Sequence, residues 1–248
     1  MSVGSVSVEH RGGVAVVTLE RPEKRNALSI EMRAGLRDAL VELGGDSVTA
    51  CIVLTGRGSA FCSGLDRRDL VERPAEVAAS DAPLSFAAVA ECPKPLLAAV
   101  NGPAVAGGFA LAMHCDIRLA AAEAVFGFLG HAKGIAPGYA AARSVLAPGI
   151  ARDLSLTGRV VPAQEALGLG IVSEVHPAAG LLARTLALAE ELAQAPLPVL
   201  LETKARFLLD HRATVEPLMR HEERALATLV ARAAAAAGGD GGDSRPTD

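Results

Sequence analysis

Short apolar runs alternate with amphipathic stretches through the first half of the chain, a pattern typical of strands interleaved with helices. Residues 14–19 form a β-branched run after the alternating Val6 and Val8, and the glycines between them predict a hairpin. Further buried strands are predicted at three short apolar runs: residues 51–55, 96–100 and 117–120. This alternation predicts an α/β fold whose strands are mostly buried on both faces.

Helical periodicity begins after the hairpin and dominates the second half of the chain. Ser29 precedes apolar positions at 32, 36, 40 and 43 that share one face, so it is predicted to cap a helix. Another helix is predicted to begin near Gly107. Later helices are predicted over residues 179–195, 200–211 and about 215–237. Residues 73–83 hold few large apolar side chains and predict a loop.

Composition narrows the class of protein. Half of the residues are hydrophobic, which excludes disorder for most of the chain, and the net charge of −4 argues against a nucleic-acid partner. The four cysteines have no CxxC spacing, so they predict reduced thiols in a cytoplasmic protein and no metal site. The first residues lack the apolar segment of a signal peptide. Residues 95–113 carry no charge, but prolines and glycines interrupt them, so no membrane span is predicted.

Five sequence blocks then occur in a characteristic order. They are RPEKRNAL at 21–28, FCSGLD at 61–66, VNGPAVAGG at 100–108, GIAPG at 134–138 and ALGLGIV at 166–172. Together they resemble the enoyl-CoA hydratase/isomerase family of the crotonase superfamily, over roughly residues 5–225. The resemblance implies an α/β fold, a crotonase-like spiral of ββα units over residues 1–195. It also implies a C-terminal helical trimerisation region at 196–237 and a homotrimer or a hexamer made of two trimers. The composition of the last eleven residues, GGDGGDSRPTD, separately predicts a flexible acidic tail at 238–248.

Two glycine turns suit the chemistry that this resemblance implies. A thioester enolate needs two hydrogen-bond donors aimed at one oxygen, and backbone amides in glycine turns can supply them. Such turns occur at residues 63–65 and 106–108. By family position the two donors are the amides of Leu65 and Gly107.

The resemblance also implies where coenzyme A would bind, as part of an acyl-CoA substrate and not as a separate cofactor. The family's cradle for the nucleotide corresponds to five positions of this chain: Arg25, Ala27, Ser63, Leu65 and Asp66. The nearby basic side chains of Lys24, Arg67 and Arg68 are candidates for phosphate contacts.

The chain departs from the family at both glutamates that hold and activate water in the hydratases. Ala110 occupies the first of these positions and Gly130 the second, and both are counted with the substrate-binding residues. A general acid or base typically contributes about 10²–10⁴ in rate. Activation of water therefore needs another group. In the family, a sequence pattern in the final helix helps to cover coenzyme A bound to a neighbouring subunit. This chain lacks that pattern, so we do not predict that its final helix contributes to a neighbour's acyl-CoA site.

Several side chains are candidates to replace the glutamates. His131 follows Gly130 directly, and histidine is a common acid/base residue at neutral pH. Tyr139 is predicted to begin a helix close to the same pocket. Lys133 and His114 are further candidates. We take His131 and Tyr139 as the predicted acid/base residues.

Three functions remain open on the sequence alone. The first is an enzyme, a hydratase or isomerase that stabilises a thioester enolate with a non-standard acid/base. The second is a non-catalytic acyl-CoA-binding protein, which the missing glutamates favour. The third is a hydrolase of carbon–carbon bonds in β-diketones, for which His131 would be the relevant residue.

Overall fold

A seven-stranded sheet forms the centre of the computed structural model, which describes residues 2–3, 6–79, 86–129 and 138–238. In spatial order its strands are β1 (Ser2–Val3), β2 (Val6–Arg11), β3 (Val14–Leu19), β4 (Cys51–Gly56), β5 (Leu96–Val100), β7 (Ile117–Ala121) and β10 (Glu174–His176). The first three strands pair antiparallel, and those from β3 to β10 pair parallel. Residues of β4 and β5 are buried throughout, as expected for parallel strands covered on both faces.

A smaller sheet of three strands lies beside the main one. Its strands are β6 (Ala104–Val105), β8 (Val125–Gly127) and β9 (Val161–Pro162). Strands β6 and β8 pair parallel, and β8 and β9 pair antiparallel. This sheet holds the segment that leads into the second glycine turn.

Eleven α-helices complete the described part of the chain. They are α1 (Ile30–Gly45), α2 (Arg67–Glu72), α3 (Pro74–Ala79), α4 (Ala87–Ala90), α5 (Gly107–Met113), α6 (Tyr139–Val145), α7 (Pro148–Thr157), α8 (Ala163–Gly168), α9 (Ala178–Ala193), α10 (Leu197–Thr214) and α11 (Glu216–Gly238). Helix α9 packs across strands β3, β4, β5, β7 and β10 and covers one face of the main sheet.

The structure contains the predicted hairpin and the predicted first helix. Strands β2 and β3 pair in register around Gly12, whose φ of +59° suits a glycine. Ser29 caps α1, because its hydroxyl accepts a hydrogen bond from the Met32 amide at 3.2 Å. Both predictions are confirmed.

The loop predicted over residues 73–83 is wrong for its first part. Residues 74–79 form helix α3, which begins with Pro74 at a position where the missing N–H costs no hydrogen bond. Glu76 pairs with Arg73 across the start of this helix, at 2.7 Å. Alanine is a strong helix former, so the scarcity of large apolar side chains did not exclude a helix.

The three predicted C-terminal helices are present as α9, α10 and α11, and α10 is longer than the predicted residues 200–211. Helix α11 packs against α3, α6 and α10. A small hydrophobic cluster of Val215 and Met219 with Ala90 and Ala140 holds its beginning in place. Over the described ranges, no helix is long and apolar enough to cross a membrane. The charge-free residues 95–113 instead form β5, β6 and α5.

Candidate active site

The glycine turns at residues 63–65 and 106–108 are distant in the sequence, but their backbones are in contact. A Cβ on Gly64 would lie 2.8 Å from the Gly107 nitrogen, and one on Gly107 would lie 3.5 Å from the Leu65 nitrogen. A bridge between Cys62 and Ala104 joins the segments just before the two turns. The Leu65 and Gly107 amides are therefore neighbours.

Neither of these two amides has a backbone acceptor within the described ranges. The neighbouring amides do: Leu28 N–H donates to Gly64 O at 2.8 Å, and Asp66 N–H donates to Leu28 O at 3.0 Å. Both Leu65 and Gly107 also line one cavity. Two free donors that share one concave surface are the arrangement needed to hold an oxyanion.

Ala106, in the second glycine turn, has an unusual backbone conformation. Ala106 has φ 51° and ψ −123°, a region that costs a residue with a Cβ about 1–3 kcal/mol. Its amide donates to Gly127 O at 2.8 Å, which ties the turn to strand β8. The surrounding structure therefore holds the turn that precedes Gly107 against local strain.

Asn26 fixes the loop that carries the predicted coenzyme A residues. Its side chain is fully buried, accepts from the Arg21 amide at 2.9 Å and donates to the carbonyls of Arg57 and Ala60 at 2.9 and 2.8 Å. Arg25 O in turn accepts from the Ser63 amide at 3.0 Å. The loop and the first glycine turn are thus one connected unit.

Four exposed basic residues, which we call the basic rim, border the cavity: Lys24, Arg25, Arg67 and Arg68. Arg68 pairs with Glu72 at 2.8 Å, whereas no ion pair is found for the other three within the described ranges. Their charges are free to meet phosphate groups.

Asp66 has a structural role in the same loop. Its carboxylate accepts from Arg21 at 2.8 Å and from the Arg68 amide at 2.9 Å, so it caps α2. Burial raises the pKa of Asp66, but these two hydrogen bonds outweigh it and hold that pKa below its usual value. Asp66 is therefore an ionised residue that shapes the loop, at the edge of the cavity.

The cavity has a volume of about 580 Å³ and a floor of small residues. Ala110 and Ala141 line it together with Gly138, and a Cβ on Gly138 would lie 3.3 Å from the Ala110 Cβ. Phe128 forms part of the wall. The position of the first missing glutamate thus faces the cavity, and this volume suits a ligand of moderate size.

Helix α11 closes the cavity with residues that the sequence did not single out. They are Met219, Glu222, Glu223 and Leu226. The Ala140 amide donates to Glu222 Oε1 at 2.7 Å, so this carboxyl lies at the beginning of α6. Burial raises the pKa of Glu222 to about 7, although the amides of Ala140 and Tyr139 act in the opposite direction.

Sequence signals for these glutamates are weak. They lie in the run HEERAL, which by itself is typical of an exposed helical face. Only the packing of α11 over α6 brings them into the cavity.

His114 lines the cavity as an uncharged ring. It stacks on Phe86 with centroids 5.7 Å apart and meets His211 edge to face at 6.2 Å. Burial, followed by the charges of His211 and Arg118, lowers the pKa of His114 to about 3. Such a weak base is a poor candidate for proton transfer at neutral pH.

The remaining predicted residues fall into three groups. Ala27 and Ser63 line the cavity with the basic rim. Tyr139 packs against the hydrophobic core, and its catalytic role stays a prediction. Gly130, His131 and Lys133 lie outside the described residues, so their roles also stay predictions.

The four cysteines are free and buried. Cys62 adjoins the first turn, but burial raises the pKa of its thiol to about 12, which argues against a nucleophile. In the described part of the chain, no group of three or more metal-ligating side chains occurs.

Comparison with known proteins identifies the family of the chain. The family model described as enoyl-CoA hydratase/isomerase matches residues 9–238. A protein of Thermus thermophilus named putative enoyl-CoA hydratase is 44% identical over 198 residues, covering 76% of this chain and 78% of that protein. An Arthrobacter protein named 4-chlorobenzoyl coenzyme A dehalogenase-2 is 34% identical over 229 residues, covering 88% and 82%.

A solved structure gives the same fold. The crystal structure of an enoyl-CoA hydratase/isomerase from Xanthobacter autotrophicus Py2 superposes with a TM-score of 0.83 at 31% identity, covering 92% of this chain and 88% of that one. The predicted crotonase-like fold is confirmed, with the C-terminal helices following the α/β core. The sequence blocks, the paired glycine turns and these matches together show that the chain belongs to the enoyl-CoA hydratase/isomerase family.

Proposed function

We propose that the protein is an enzyme that binds an acyl-CoA thioester and stabilises its enolate between the amides of Leu65 and Gly107. The observation that carries the proposal is a pair of neighbouring amides that line one cavity and have no backbone acceptor among the described residues. Donors fixed by the backbone need no reorganisation as negative charge develops on the thioester oxygen. One such donor is typically worth about 3–4 kcal/mol of transition-state stabilisation.

The basic rim supports a substrate that carries coenzyme A. Arg25 and Arg67 are exposed at the cavity edge and have no ion pair in the described part of the chain. Guanidinium groups bind phosphate oxygens by charge-assisted hydrogen bonds. The floor beyond the turns is apolar, with Ala110, Ala141 and Phe128. Charge at the entrance and apolar surface inside fit a ligand with a phosphorylated head and an acyl tail.

The expected reaction is hydration or isomerisation of an enoyl-CoA, with a non-standard acid/base. Both reactions pass through an enolate-like state, so both would use the same amide pair. A second candidate, a non-catalytic acyl-CoA-binding protein, is favoured by Ala110, which leaves the first family position without a carboxylate. The β-diketone hydrolase depends on His131, and no observation among the described residues favours it.

Turnover of enoyl-CoAs tests the proposal directly. The protein would be incubated with trans-2-enoyl-CoAs and 3-enoyl-CoAs of increasing chain length, and the products followed by mass and by chromatographic retention. Hydration adds the mass of water, and isomerisation changes retention at constant mass; either result supports the enzyme. Tight binding of every thioester without turnover would favour the binding protein, and a lack of binding would overturn both candidates.

The family resemblance also leads us to propose a homotrimer or a hexamer. Helix α10 presents exposed apolar side chains, including Phe207 and Leu209, which would be covered by a neighbouring copy. Light scattering coupled to size-exclusion chromatography measures the mass, and a monomer at micromolar concentration would contradict the proposal.

A further inference from the structure

A carboxyl group from the last helix reaches the floor of the cavity. Glu222 lines the cavity from α11, and its Oε1 accepts a hydrogen bond from the Ala140 amide at 2.7 Å. These residues are 82 positions apart, so the contact exists only because α11 docks on α6.

A short series of contacts connects this carboxyl with the amide pair. Ala110 lies three residues after Gly107 in α5, a rise of about 4.5 Å. Gly138, which precedes α6, approaches Ala110 so closely that a Cβ there would lie 3.3 Å from the Ala110 Cβ. Ala140 follows two residues later. Glu222 therefore enters the same region of the cavity as Ala110, where the family glutamate is missing.

We infer that Glu222 is the proton-transfer group of this site, and that α11 supplies the acid/base that α5 lacks. This inference rests on the proposed function. The Glu222 carboxylate removes a proton from C2 of the bound acyl-CoA. As the C2–H bond breaks, its electron pair forms the C1–C2 double bond, and the thioester carbonyl pair moves to the oxygen held by Leu65 and Gly107. Return of the proton from the neutral carboxyl to C2 restores the substrate, so no further reactant is needed.

The surroundings of Glu222 suit a group that gains and loses a proton near neutral pH. Burial disfavours its charged form, and the adjacent Glu223 adds like charge. The Ala140 and Tyr139 amides favour the charged form, so both forms are accessible. The other titratable and charged side chains of the cavity are Lys24, Arg25, Asp66, Arg67, Arg68, His114 and Glu223.

A purely structural role is the alternative for Glu222. Its carboxylate holds the beginning of α6, so removal of the side chain would disturb the floor of the cavity. Glu222→Gln separates the two roles, because the glutamine carbonyl oxygen still accepts from the Ala140 amide but cannot take up a proton at neutral pH.

Deuterium exchange at C2 tests the inference with the full-length chain. Hexanoyl-CoA and dodecanoyl-CoA are incubated in heavy water, and exchange is followed by mass, while calorimetry measures binding. In the wild type, exchange is expected to rise with pH through about 7, since the carboxylate is the base. Glu222→Gln should retain binding, lose exchange by roughly 10²–10⁴-fold and lose this inflection, and Glu222→Asp should recover part of the rate.

Glu216→Gln is the matched control, because Glu216 lies on the same helix, outside the cavity lining, and pairs with Arg220. It should exchange like the wild type. Equal exchange in Glu222→Gln and the wild type, or loss of exchange in His131→Ala but not in Glu222→Gln, would overturn the inference while the proposed function stands. Failure of the wild type to bind either thioester would overturn the proposed function itself.

Discussion

Gly64 and Gly107 touch through their backbones, so closely that a single methyl group on Gly64 would collide with the Gly107 nitrogen at 2.8 Å. Gly64 also has φ +90°, a conformation that residues with a Cβ rarely adopt. The contact makes the two donors one unit, and displacing either turn displaces both.

Gly64→Ala should therefore reduce enolate-dependent turnover by roughly 10²–10³-fold, the range found when one donor of an oxyanion hole is lost. Steady-state kinetics with the best enoyl-CoA substrate measures it. Gly149→Ala is the matched control, because a Cβ there would meet no atom within 4 Å. Equal losses in the two variants would show that the effect is not specific to the turns.

Asn26→Ala should destabilise the fold more than an average substitution. It removes three hydrogen bonds from a fully buried site and leaves the Arg57 and Ala60 carbonyls without that donor. We expect the free energy of unfolding to fall by about 2–4 kcal/mol, as measured by urea denaturation. A decrease below about 0.5 kcal/mol would contradict the structural role given to this side chain.

The basic rim predicts binding that depends on salt. Arg25→Gln and Arg67→Gln should each weaken acyl-CoA binding by roughly tenfold, and binding to the wild type should weaken as ionic strength rises. Arg37→Gln, on the exposed side of α1, changes the same charge away from the cavity and should leave the dissociation constant unchanged. Calorimetric titration measures all three variants, and equal affinities would place the phosphates elsewhere.

Glu222 predicts a stability that falls as the pH rises. Its pKa is raised in the folded state to about 7 from 4.5, so between these values the folded protein binds more protons than the unfolded chain. The stability linked to this proton is fully present below pH 4.5 and is lost as the pH rises through about 7. In the wild type, the free energy of unfolding should change by at most about 3 kcal/mol over this pH range because of Glu222. In Glu222→Gln this pH-dependent change should be absent.

The buried pair of Lys204 and Asp116 connects α10 to the core. The Lys204 nitrogen is 2.6 Å from Asp116 Oδ1, and Oδ2 of the same carboxylate accepts from the Leu96 amide at 2.8 Å. Lys204→Met should cost about 3–5 kcal/mol, because it leaves a partly buried carboxylate without its cation. The double variant with Asp116→Asn should recover part of this loss, and thermal unfolding measures both.

Five strands of the main sheet (β2 to β5 and β7) were predictable from sequence because their signals are local, whereas the short strands β1 and β10 were not predicted. A β-branched run such as residues 14–19 is typical of a buried strand, and the glycines at 64 and 107 mark turns. The pairing of the Leu65 and Gly107 amides was predicted from the order of the sequence blocks, which resembles that of the family. Each of these features depends on neighbours along the chain.

Residues whose role depends on tertiary packing were not predictable in the same way. Glu222 looks like any solvated residue of a charged helix until α11 is placed over α6. Residues 74–79 were expected to form a loop because they lack large apolar side chains, but alanines favour a helix. Asn26 gave no signal either, since its three partners lie at positions 21, 57 and 60.

Because α11 packs on α6, the two parts of the proposed chemistry lie on different segments of the chain. The glycine turns would bind the oxyanion, and α11 would supply the proton-transfer group. The proposed oxyanion-binding frame consists of closely packed turns, in which a Cβ on Gly64 or on Gly108 would collide with neighbouring backbone atoms. In the proposed mechanism the proton carrier is instead Glu222, a single side chain on the last helix. Substitutions in that helix would therefore alter proton transfer while leaving the turns at Gly64 and Gly107 in place.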